Sequence, residues 1–512
     1  MAGNGANNPS AGLVSNSHWN LVAFGANLIA QFVTVPFILR WIGLDDFGMA
    51  AVVLAVCAPM SLVGAVLGQA LIREISSRCA TDHRVLSACT TAAMRMCLLA
   101  CIVYWLALVV IGPTIARPLI RVASSVSALW PALVIAASGS IAQQVALVLQ
   151  SVSAARQDYR TIARVTLFTT MASSVTTLGF TWISPDMKGY LVGVSAGFLL
   201  VMLAWLHRWW DVIEWKHVFA IQKLKETGAL MRFGKWQGVA QLAGVLGNQI
   251  DRYALGAMTP ISVVGQYTVA NRLQEAAYIG VIKAGEVLFP RFGAIASQDI
   301  AGRLEFFQAA SWAVGMLSAI ILVPMAILST CVLTLWVGPA ATTGADHMLF
   351  VLVLAGIIGS SSNVFTYYAM GIGRNAAVAG ISVLFSMLTV MMTIALIAIY
   401  GSAAAGMGLL VASIVRVVAS MSLTRRLFFP DVGRSELFIS TALPMLVGVS
   451  IALGGQHIVT TRPDGWIGLA VYYLLLSLFV LAIGVLTTAM TQPGRKIVIR
   501  LAQSFIWLWC RQ

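Results

Sequence analysis

Charged residues are scarce in this chain of 512 residues, and their scarcity is the first clue to its class. Asp, Glu, Lys and Arg together make up 10% of the sequence, whereas apolar residues make up 59%. A soluble globular domain carries about 25% charged residues, so the composition excludes one. A mean hydropathy of +0.88 instead predicts an all-α polytopic membrane protein, built from apolar helices of about 20 residues.

Acidic residues are the scarcer of the two charge types, with 18 Asp and Glu against 32 Lys and Arg and a net charge of +14. In a soluble protein this balance would suggest a nucleic-acid partner. In a membrane protein it is typical of basic cytoplasmic loops and of attraction to anionic lipids. We therefore predict membrane lipids, and no nucleic acid, as partners.

Cysteine and histidine are also sparse, and neither forms a recognisable pattern. Most of the seven cysteines fall in apolar segments or in loops assigned to the cytoplasm, so no disulfide is expected. The six histidines lack the spacing of metal ligands. The sequence lacks a phosphate-binding G-x-x-x-x-G-K-S/T loop, a nucleophile with its base, and an ATP-binding domain. We predict that the chain is no enzyme and holds no metal or cofactor. Any transport is then passive, ion-coupled or driven by downstream consumption of what is transported.

Apolar windows of helix length predict about fourteen transmembrane helices. No Lys or Arg precedes residue 19, so the first window lacks the basic flank of a secretory signal peptide and is expected to stay as a helix. The windows cover residues 19–39, 48–71, 92–112, 128–150, 164–183, 190–206, 233–255, 263–290, 308–330, 347–370, 377–399, 406–424, 437–455 and 466–490.

The distribution of Lys and Arg predicts the orientation of these helices. With the N-terminus inside, cytoplasmic loops hold 23 Lys and Arg and outer loops hold six, as the positive-inside rule requires. Both termini are then cytoplasmic. The predicted regions are a cytoplasmic tail (1–18), a six-helix bundle (19–206), a Trp-rich cytoplasmic linker (207–231), a second six-helix bundle (232–424), two further helices (425–490) and an amphipathic basic tail (491–512).

A faint internal repeat relates the two halves. GLDDFGMAAVVLA, residues 43–55, and ISVVGQYTVANRL, residues 261–273, each begin a predicted helix, and Gly48 and Gly265 are offset by 217 residues. At the same offset, Gln31 corresponds to Asn248 in the preceding helix. Transporter folds are often built from such repeats, with substrate sites near the repeat interface.

Four charges lie within the window 263–290, where a membrane helix should carry none. Arg272, Glu275, Lys283 and Glu286 fall within an arc of about 80° on a helix. If all four faced lipid, the cost would be on the order of 10 kcal/mol. We expect this face to turn towards a protein interior or a water-filled cavity, where it lines a transport pathway. The alternative is two structural i,i+3 ion pairs.

Other polar residues within predicted helices are candidates for a cavity. Amides in such positions also join membrane helices by hydrogen bonds, so both roles stay open for them. Arg416 has no acidic residue near it in sequence, and it is the best single candidate for a cation that meets an anionic ligand, with snorkelling to the cytoplasmic side as the alternative. Glu275, Glu286 and Asp251 are candidates for ion coupling. The cavity candidates are Arg272, Lys283, Arg416, Arg252, Asn248, Asn27 and Gln31.

Two stretches of the sequence resemble a known family. NLVAFGANLIAQFVTVPFILRWIGLDDFGMAAVVLAV resembles the first two helices of the polysaccharide transporters. GNQIDRYALGAMTPISVVGQYTVANRL is similar to their seventh and eighth helices, in which "D-R" precedes a "VGxY" turn. The helix count, the SAARQDYR loop at 153–160 and the basic linker fit as well.

The resemblance implies a flippase for lipid-linked oligosaccharides, within the multidrug/oligosaccharidyl-lipid/polysaccharide flippase superfamily. It implies two helical bundles around a central cavity in the bacterial inner membrane, and a polyprenyl-diphosphate-linked oligosaccharide as substrate for O-antigen or exopolysaccharide assembly. Arg272, Lys283 and Arg416 are the positions here that would meet the anionic part. A polysaccharide polymerase and a chain-length regulator are the protein partners that it implies.

Other functions fit parts of the sequence. A multidrug or cation antiporter of the same superfamily would require acidic cavity residues, and the mixed signs at 272–286 do not exclude it. A polysaccharide polymerase or ligase has similar hydropathy, but it typically carries a large periplasmic loop that is not found here. A structural scaffold would leave the charged face unexplained.

Overall fold

The computed structural model describes residues 9–77, 83–119, 126–219, 225–286, 288–295, 299–458, 463, 465–491, 494–497 and 499. Within these ranges the regular structure is entirely helical. Most of the predicted tail 491–512 and residues 1–8 lie outside the described residues. The α-helices are α1 (Pro9–Cys57), α2 (Ser61–Ser77), α3 (His83–Leu119), α4 (Val126–Ala155), α5 (Tyr159–Ile183), α6 (Met187–Trp209), α7 (Trp215–Val218), α8 (Lys225–Met258), α9 (Ile261–Glu286), α10 (Leu288–Ala294), α11 (Ile300–Ile327), α12 (Ser329–Val337), α13 (Pro339–Thr342), α14 (Ala345–Gly371), α15 (Asn375–Tyr400), α16 (Met407–Leu427), α17 (Arg434–Thr441), α18 (Leu443–Ile458) and α19 (Gly465–Ala489).

The prediction of an all-α polytopic membrane protein is confirmed. Nine helices in the described part of the chain are long and apolar enough to cross a membrane, or ten if the bent pair α17 and α18 is one span. Each of the fourteen predicted windows falls on helical structure. The windows on α5, α8 and α9 are not among the nine, because their helices are rich in Thr, amides or charges, and the first two windows run together in one long segment. The number fourteen therefore stays a prediction.

The chain forms two compact helical units, residues 1–265 and 266–512, whose boundary lies within α9. The predicted linker 207–231 lies inside the first unit. The predicted division into six-helix bundles on either side of that linker stays a prediction.

In the first unit, small residues allow helices to pack closely. Gly193 and Gly197 lie one turn apart on α6, and an added Cβ would come within 2.7 Å of Thr177 and 2.9 Å of Ser173 on α5. The Ser173 hydroxyl donates a hydrogen bond to the Gly197 carbonyl at 3.2 Å. Lipid gives helices no hydrophobic reason to associate, so close backbone packing and such hydrogen bonds hold them together.

The two copies of the sequence repeat contact each other reciprocally within the first unit. A Cβ added at Gly48 would lie 2.3 Å from the Ile261 carbonyl oxygen, and one added at Gly265 would lie 2.4 Å from the Leu44 carbonyl oxygen. Leu44 and Ile261 are themselves offset by 217 residues. The glycine of each motif therefore contacts the equivalent backbone carbonyl of the other motif. The contact requires that neither position 48 nor position 265 carries a side chain.

Replacement of Gly48 by alanine tests this contact. We expect Gly48→Ala to lower the free energy of unfolding by about 1–3 kcal/mol, because the new methyl group meets backbone atoms that must shift. Gly244→Ala on α8 is the control, since no atom lies within 4 Å of its added Cβ and alanine favours a helix. Thermal unfolding of the purified protein in detergent measures both. Equal stability of the two variants would contradict the reciprocal contact.

The segment after α6 folds back onto α3. Val212, Ile213 and Val218 are buried in the apolar core of the first unit. The Ser87 hydroxyl donates to the Glu214 carboxylate at 2.7 Å, and the Glu214 amide donates to the Thr91 hydroxyl at 3.0 Å. The hydrogen bond from Ser87, followed by that of His217, lowers the pKa of Glu214 below its ordinary value. At pH values above the ordinary carboxyl pKa, the ionised Glu214 stabilises the folded position of this segment. This stabilisation is lost as the pH falls through the lowered pKa of Glu214.

The second unit is arranged around α14, the most buried of the nine membrane-length helices. Aromatic rings from α10, α11 and α14 and from the residues after α16 pack at one end of it. Ring centroids of Phe292 and Tyr368 lie 5.1 Å apart, and those of Phe307 and Tyr368 lie 5.3 Å apart, both edge to face. This geometry suits the ring quadrupoles and fixes α14 against its neighbours.

Candidate functional site

Arg416 lies near the middle of α16, inside the second unit. Its Nε is buried and has no hydrogen-bond partner, and its guanidinium carbon lies 4.9 Å from the centroid of the Phe385 ring on α15. Among the described residues no carboxylate forms an ion pair with it. The charge is therefore held by the face of an aromatic ring, and part of its hydrogen-bonding capacity is unused.

Polar side chains of α9 and α14 surround this cation. The Asn363 Nδ2 donates to the Tyr278 hydroxyl at 3.0 Å, and the hydroxyls of Tyr278 and Tyr367 lie close enough to Arg416 to interact with its charge. The Tyr367 hydroxyl donates to the Ile282 carbonyl at 3.3 Å. The two hydrogen bonds join α9 to α14, and Arg416 on α16 lies near both tyrosines. We call Arg416, Phe385, Tyr278, Asn363 and Tyr367 the Arg416 cluster.

Glycines make room for the cluster. A Cβ at Gly356 on α14 would lie 2.9 Å from the Gln274 amide nitrogen, and one at Gly285 on α9 would lie 2.8 Å from the Tyr367 ring. At Gly359 the added Cβ would approach the Tyr278 hydroxyl at 3.8 Å. The two helices can therefore hold large polar side chains between them.

The chemistry of the cluster suits an anionic oxygen beside a sugar. A guanidinium binds phosphate or carboxylate through two parallel N–H donors, and phenol hydroxyls and an amide bind sugar hydroxyls. Sequence analysis identifies Arg416 as a candidate cation, but it gives no reason to join it to Phe385 or to the amide of Gln274. Their positions are set by packing between helices far apart in sequence.

The described part of the charged face of α9 is more exposed than the Nε of Arg416. Glu275 is exposed and accepts a hydrogen bond from the Asn271 amide at 2.8 Å. Lys283 is exposed and Arg272 is partly exposed, whereas the Glu286 side chain lies outside the described residues. Glu275 and Lys283 are thus not buried in a protein interior, and their place in a water-filled pathway stays a prediction.

The candidates of the first unit are dispersed. Gln31 and Asn248 are exposed, and the Asn27 side chain lies outside the described residues. Asp251 is only 3% exposed. Arg252 donates from Nη1 to the Gln249 side-chain oxygen at 2.6 Å. These residues lie on two helices, α1 and α8.

Tyr253, which follows Asp251 and Arg252 on α8, donates a hydrogen bond to a backbone carbonyl near the end of α1. Pro59 has no N–H, so the carbonyl of Ala55, four residues earlier, loses its usual helical donor. The Tyr253 hydroxyl donates to that carbonyl at 2.5 Å, and the Tyr104 hydroxyl donates to the next one, that of Val56, at 3.1 Å. A carbonyl left unpaired in an apolar interior is costly, which gives both tyrosines a structural role.

A double-mutant cycle tests this account. Tyr253→Phe leaves the Ala55 carbonyl without a donor, and we expect it to cost about 1–3 kcal/mol of stability. In a Pro59→Ala background the restored N–H supplies that donor, so the same tyrosine change should cost much less. Denaturation in detergent measures the four proteins of the cycle. An equal cost in both backgrounds would contradict the role assigned to Tyr253.

The sequence pattern of the family described as polysaccharide biosynthesis proteins matches residues 13–296, more than half of the chain. The chain belongs to this family. No curated protein sequence matches it significantly. Arg416 lies beyond the matched residues.

Solved structures show the same fold. The chain is similar to the lipid II flippase MurJ in an inward closed conformation, with a TM-score of 0.65, 11% identity, and coverage of 93% of this chain and 98% of that one. It is also similar to an inward-facing multidrug resistance MATE family transporter of the MOP superfamily, with a TM-score of 0.62, 12% identity and coverage of 86% and 99%.

A MOP superfamily transporter from Pyrococcus furiosus is similar too, with a TM-score of 0.55, 12% identity and coverage of 80% and 94%. With its family, this chain is therefore a multi-pass membrane protein of polysaccharide biosynthesis, and it has the fold of the MurJ and MATE proteins.

Proposed function

We propose that this transporter moves polyprenyl-diphosphate-linked oligosaccharide repeat units from the cytoplasmic to the periplasmic leaflet of the bacterial inner membrane. It works by alternating access, and the units serve O-antigen or exopolysaccharide assembly. The observation that carries this proposal beyond the family's general role is the Arg416 cluster. A cation without an ion pair, among aromatic and amide side chains, supports a ligand that is both anionic and glycosidic.

The physical problem is the transfer of charge through hydrocarbon. An unaccompanied diphosphate faces a prohibitive desolvation cost in the bilayer. A guanidinium that is already desolvated and oriented offsets part of that cost, because little further ordering is needed when the anion arrives. The polyprenyl tail stays in the bilayer, so only the head group requires a polar path.

The exposed cations of α9 supply further contacts in this proposal. Lys283 is a flexible point charge, which suits transient attraction better than tight binding. Arg272 lies about three helical turns earlier on the same face. The pathway protein partners remain a polysaccharide polymerase and a chain-length regulator, and both termini lie in the cytoplasm.

Asp251 is the carboxylate best placed for ion coupling. Of the two acidic candidates whose side chains the structure describes, Asp251 is buried and Glu275 is exposed. Acidic side chains inside membrane helices commonly belong to proton relays and ion pathways. We therefore assign coupling to Asp251.

Transport in reconstituted vesicles tests the substrate and its site. A fluorescent polyprenyl-diphosphate oligosaccharide should be translocated by the wild type, and Arg416→Ala should slow translocation by about tenfold to a hundredfold, the effect of one lost charged hydrogen bond. Arg416→Lys should have a translocation rate between those of the wild type and Arg416→Ala, because lysine keeps the positive charge but lacks the paired N–H donors of a guanidinium. Arg426→Ala, at the exposed end of the same helix, is the matched control.

Lys283→Ala is measured in the same assay and should have a smaller effect. Translocation that survives Arg416→Ala would keep the flippase and discard the site. If no lipid-linked sugar moves while a small organic cation does, the chain is a multidrug antiporter of the same superfamily.

The pH dependence of transport tests the coupling residue. Asp251→Asn cannot ionise, so we expect its translocation rate to be flat between about pH 5 and pH 9, whereas the wild-type rate changes. Glu275→Gln is the matched control and should keep the wild-type profile. A wild-type profile in Asp251→Asn would refute the assignment.

A further inference from the structure

A single tryptophan holds two arginines at one end of the first unit. Trp209, the last residue of α6, is 2% exposed, and its Nε1 donates to the Ser153 hydroxyl on α4 at 3.2 Å. The guanidinium carbon of Arg208 lies 4.7 Å from its ring, and that of Arg156 lies 5.7 Å from it. The two carbons are therefore at most about 10 Å apart. We call Arg156, Arg208 and Trp209 the arginine–tryptophan platform.

Both arginines are exposed, and neither has an acidic partner. Within the described ranges, neither guanidinium forms a hydrogen bond or an ion pair with another side chain. Of the acids near them in sequence, Asp158 accepts from the Thr161 amide at the start of α5 and Asp211 is exposed. Glu214 accepts from Ser87 and His217. Two cations that share one ring repel each other, and a shared anion would relieve this repulsion.

The backbone fixes the platform. Between α4 and α5, Gln157 adopts a φ of +58°, a left-handed conformation that residues other than glycine seldom adopt. The Asp158 amide donates to the Ser153 carbonyl at 3.0 Å across this turn. Arg156 is therefore carried by a closed turn beside the residue that orients Trp209, and Arg208 is carried by the last turn of α6.

The surroundings of the platform suit a membrane surface. Trp210 is 54% exposed and Phe219 is 76% exposed, and the intervening residues are anchored on α3. Exposed aromatic rings next to basic residues are typical of the bilayer interface, where rings lie at headgroup level and cations attract anionic lipids. The first two turns of α3 and α5, together with the short helix α7, also carry Arg84, Arg160, Arg164 and Lys216.

We propose that the arginine–tryptophan platform binds the phosphate of an anionic phospholipid. Each guanidinium offers a fork of N–H donors that matches phosphate oxygens, and Trp209 holds both forks in place before the lipid arrives. The remaining basic residues attract the headgroup over a longer range. This site is separate from the Arg416 cluster, and it does not depend on which substrate the transporter moves.

Titration of the purified full-length protein in neutral detergent tests the proposal. Short-chain phosphatidylglycerol is added and its binding is followed by tryptophan fluorescence, with phosphatidylcholine and inorganic phosphate as separate arms. Wild type should bind phosphatidylglycerol more tightly than either alternative. The double variant Arg156→Gln/Arg208→Gln should bind it about thirtyfold more weakly, the expected effect of two interfacial cations.

Two further variants separate the site from general charge. Arg374→Gln/Arg426→Gln removes two exposed arginines of the second unit, and it should bind like the wild type. Arg156→Lys/Arg208→Lys keeps the charge without the forks, and it should bind with intermediate affinity. Unfolding without lipid confirms that each variant is folded.

Three outcomes would overturn the proposal. Equal weakening in the two glutamine double variants would mean that the lipid responds to net charge alone. Inorganic phosphate binding as tightly as phosphatidylglycerol would mean a soluble anion site. Wild-type binding that does not distinguish phosphatidylglycerol from phosphatidylcholine would mean that no anionic-lipid site exists.

Discussion

In hydrocarbon, a polar group that loses its partner cannot turn to water. This constraint explains much of the first unit. Pro59 removes a helical hydrogen bond just after α1, and two tyrosine hydroxyls from other helices donate to the nearby carbonyls of Ala55 and Val56. Serine and threonine hydroxyls along α5 bond to carbonyls of α6 where glycines bring the backbones close. Polar residues that would be ordinary in a soluble protein thus determine which helices pack together.

The same constraint applies to three arginines that have no carboxylate partner among the described residues. Arg416 and the two arginines on Trp209 are stacked on aromatic rings instead of being paired with carboxylates. The first lies within the helices of the second unit and the others lie at an exposed end of the first. A cation held by an aromatic ring keeps N–H donors for a ligand, so these arginines are good indicators of where the protein meets an anion.

Much of the fold could be predicted from the sequence, because apolar runs and their periodicity dictate membrane helices directly. Each predicted window falls on helical structure. The sequence repeat aligns Gly48 with Gly265, and in the structure each of these glycines contacts the backbone of the other motif. The site was predicted less completely. The charged face of α9 is conspicuous in sequence, yet Glu275 and Lys283 are exposed, whereas the neighbours of Arg416 come from α9, α14 and α15. Hydropathy reports how deep a residue lies, but it carries no information about which distant helix it faces.

The stacking of Arg416 on Phe385 has a consequence for turnover. A carboxylate partner would compete with each incoming anion, and it would recapture the guanidinium each time that anion left. A phenyl ring holds the cation by its quadrupole and cannot neutralise it, so no internal ion pair has to break on entry or re-form on exit. A carrier built in this way is suited to rapid exchange rather than to tight retention, and its rate is set by the motion of the protein more than by rupture of a salt bridge.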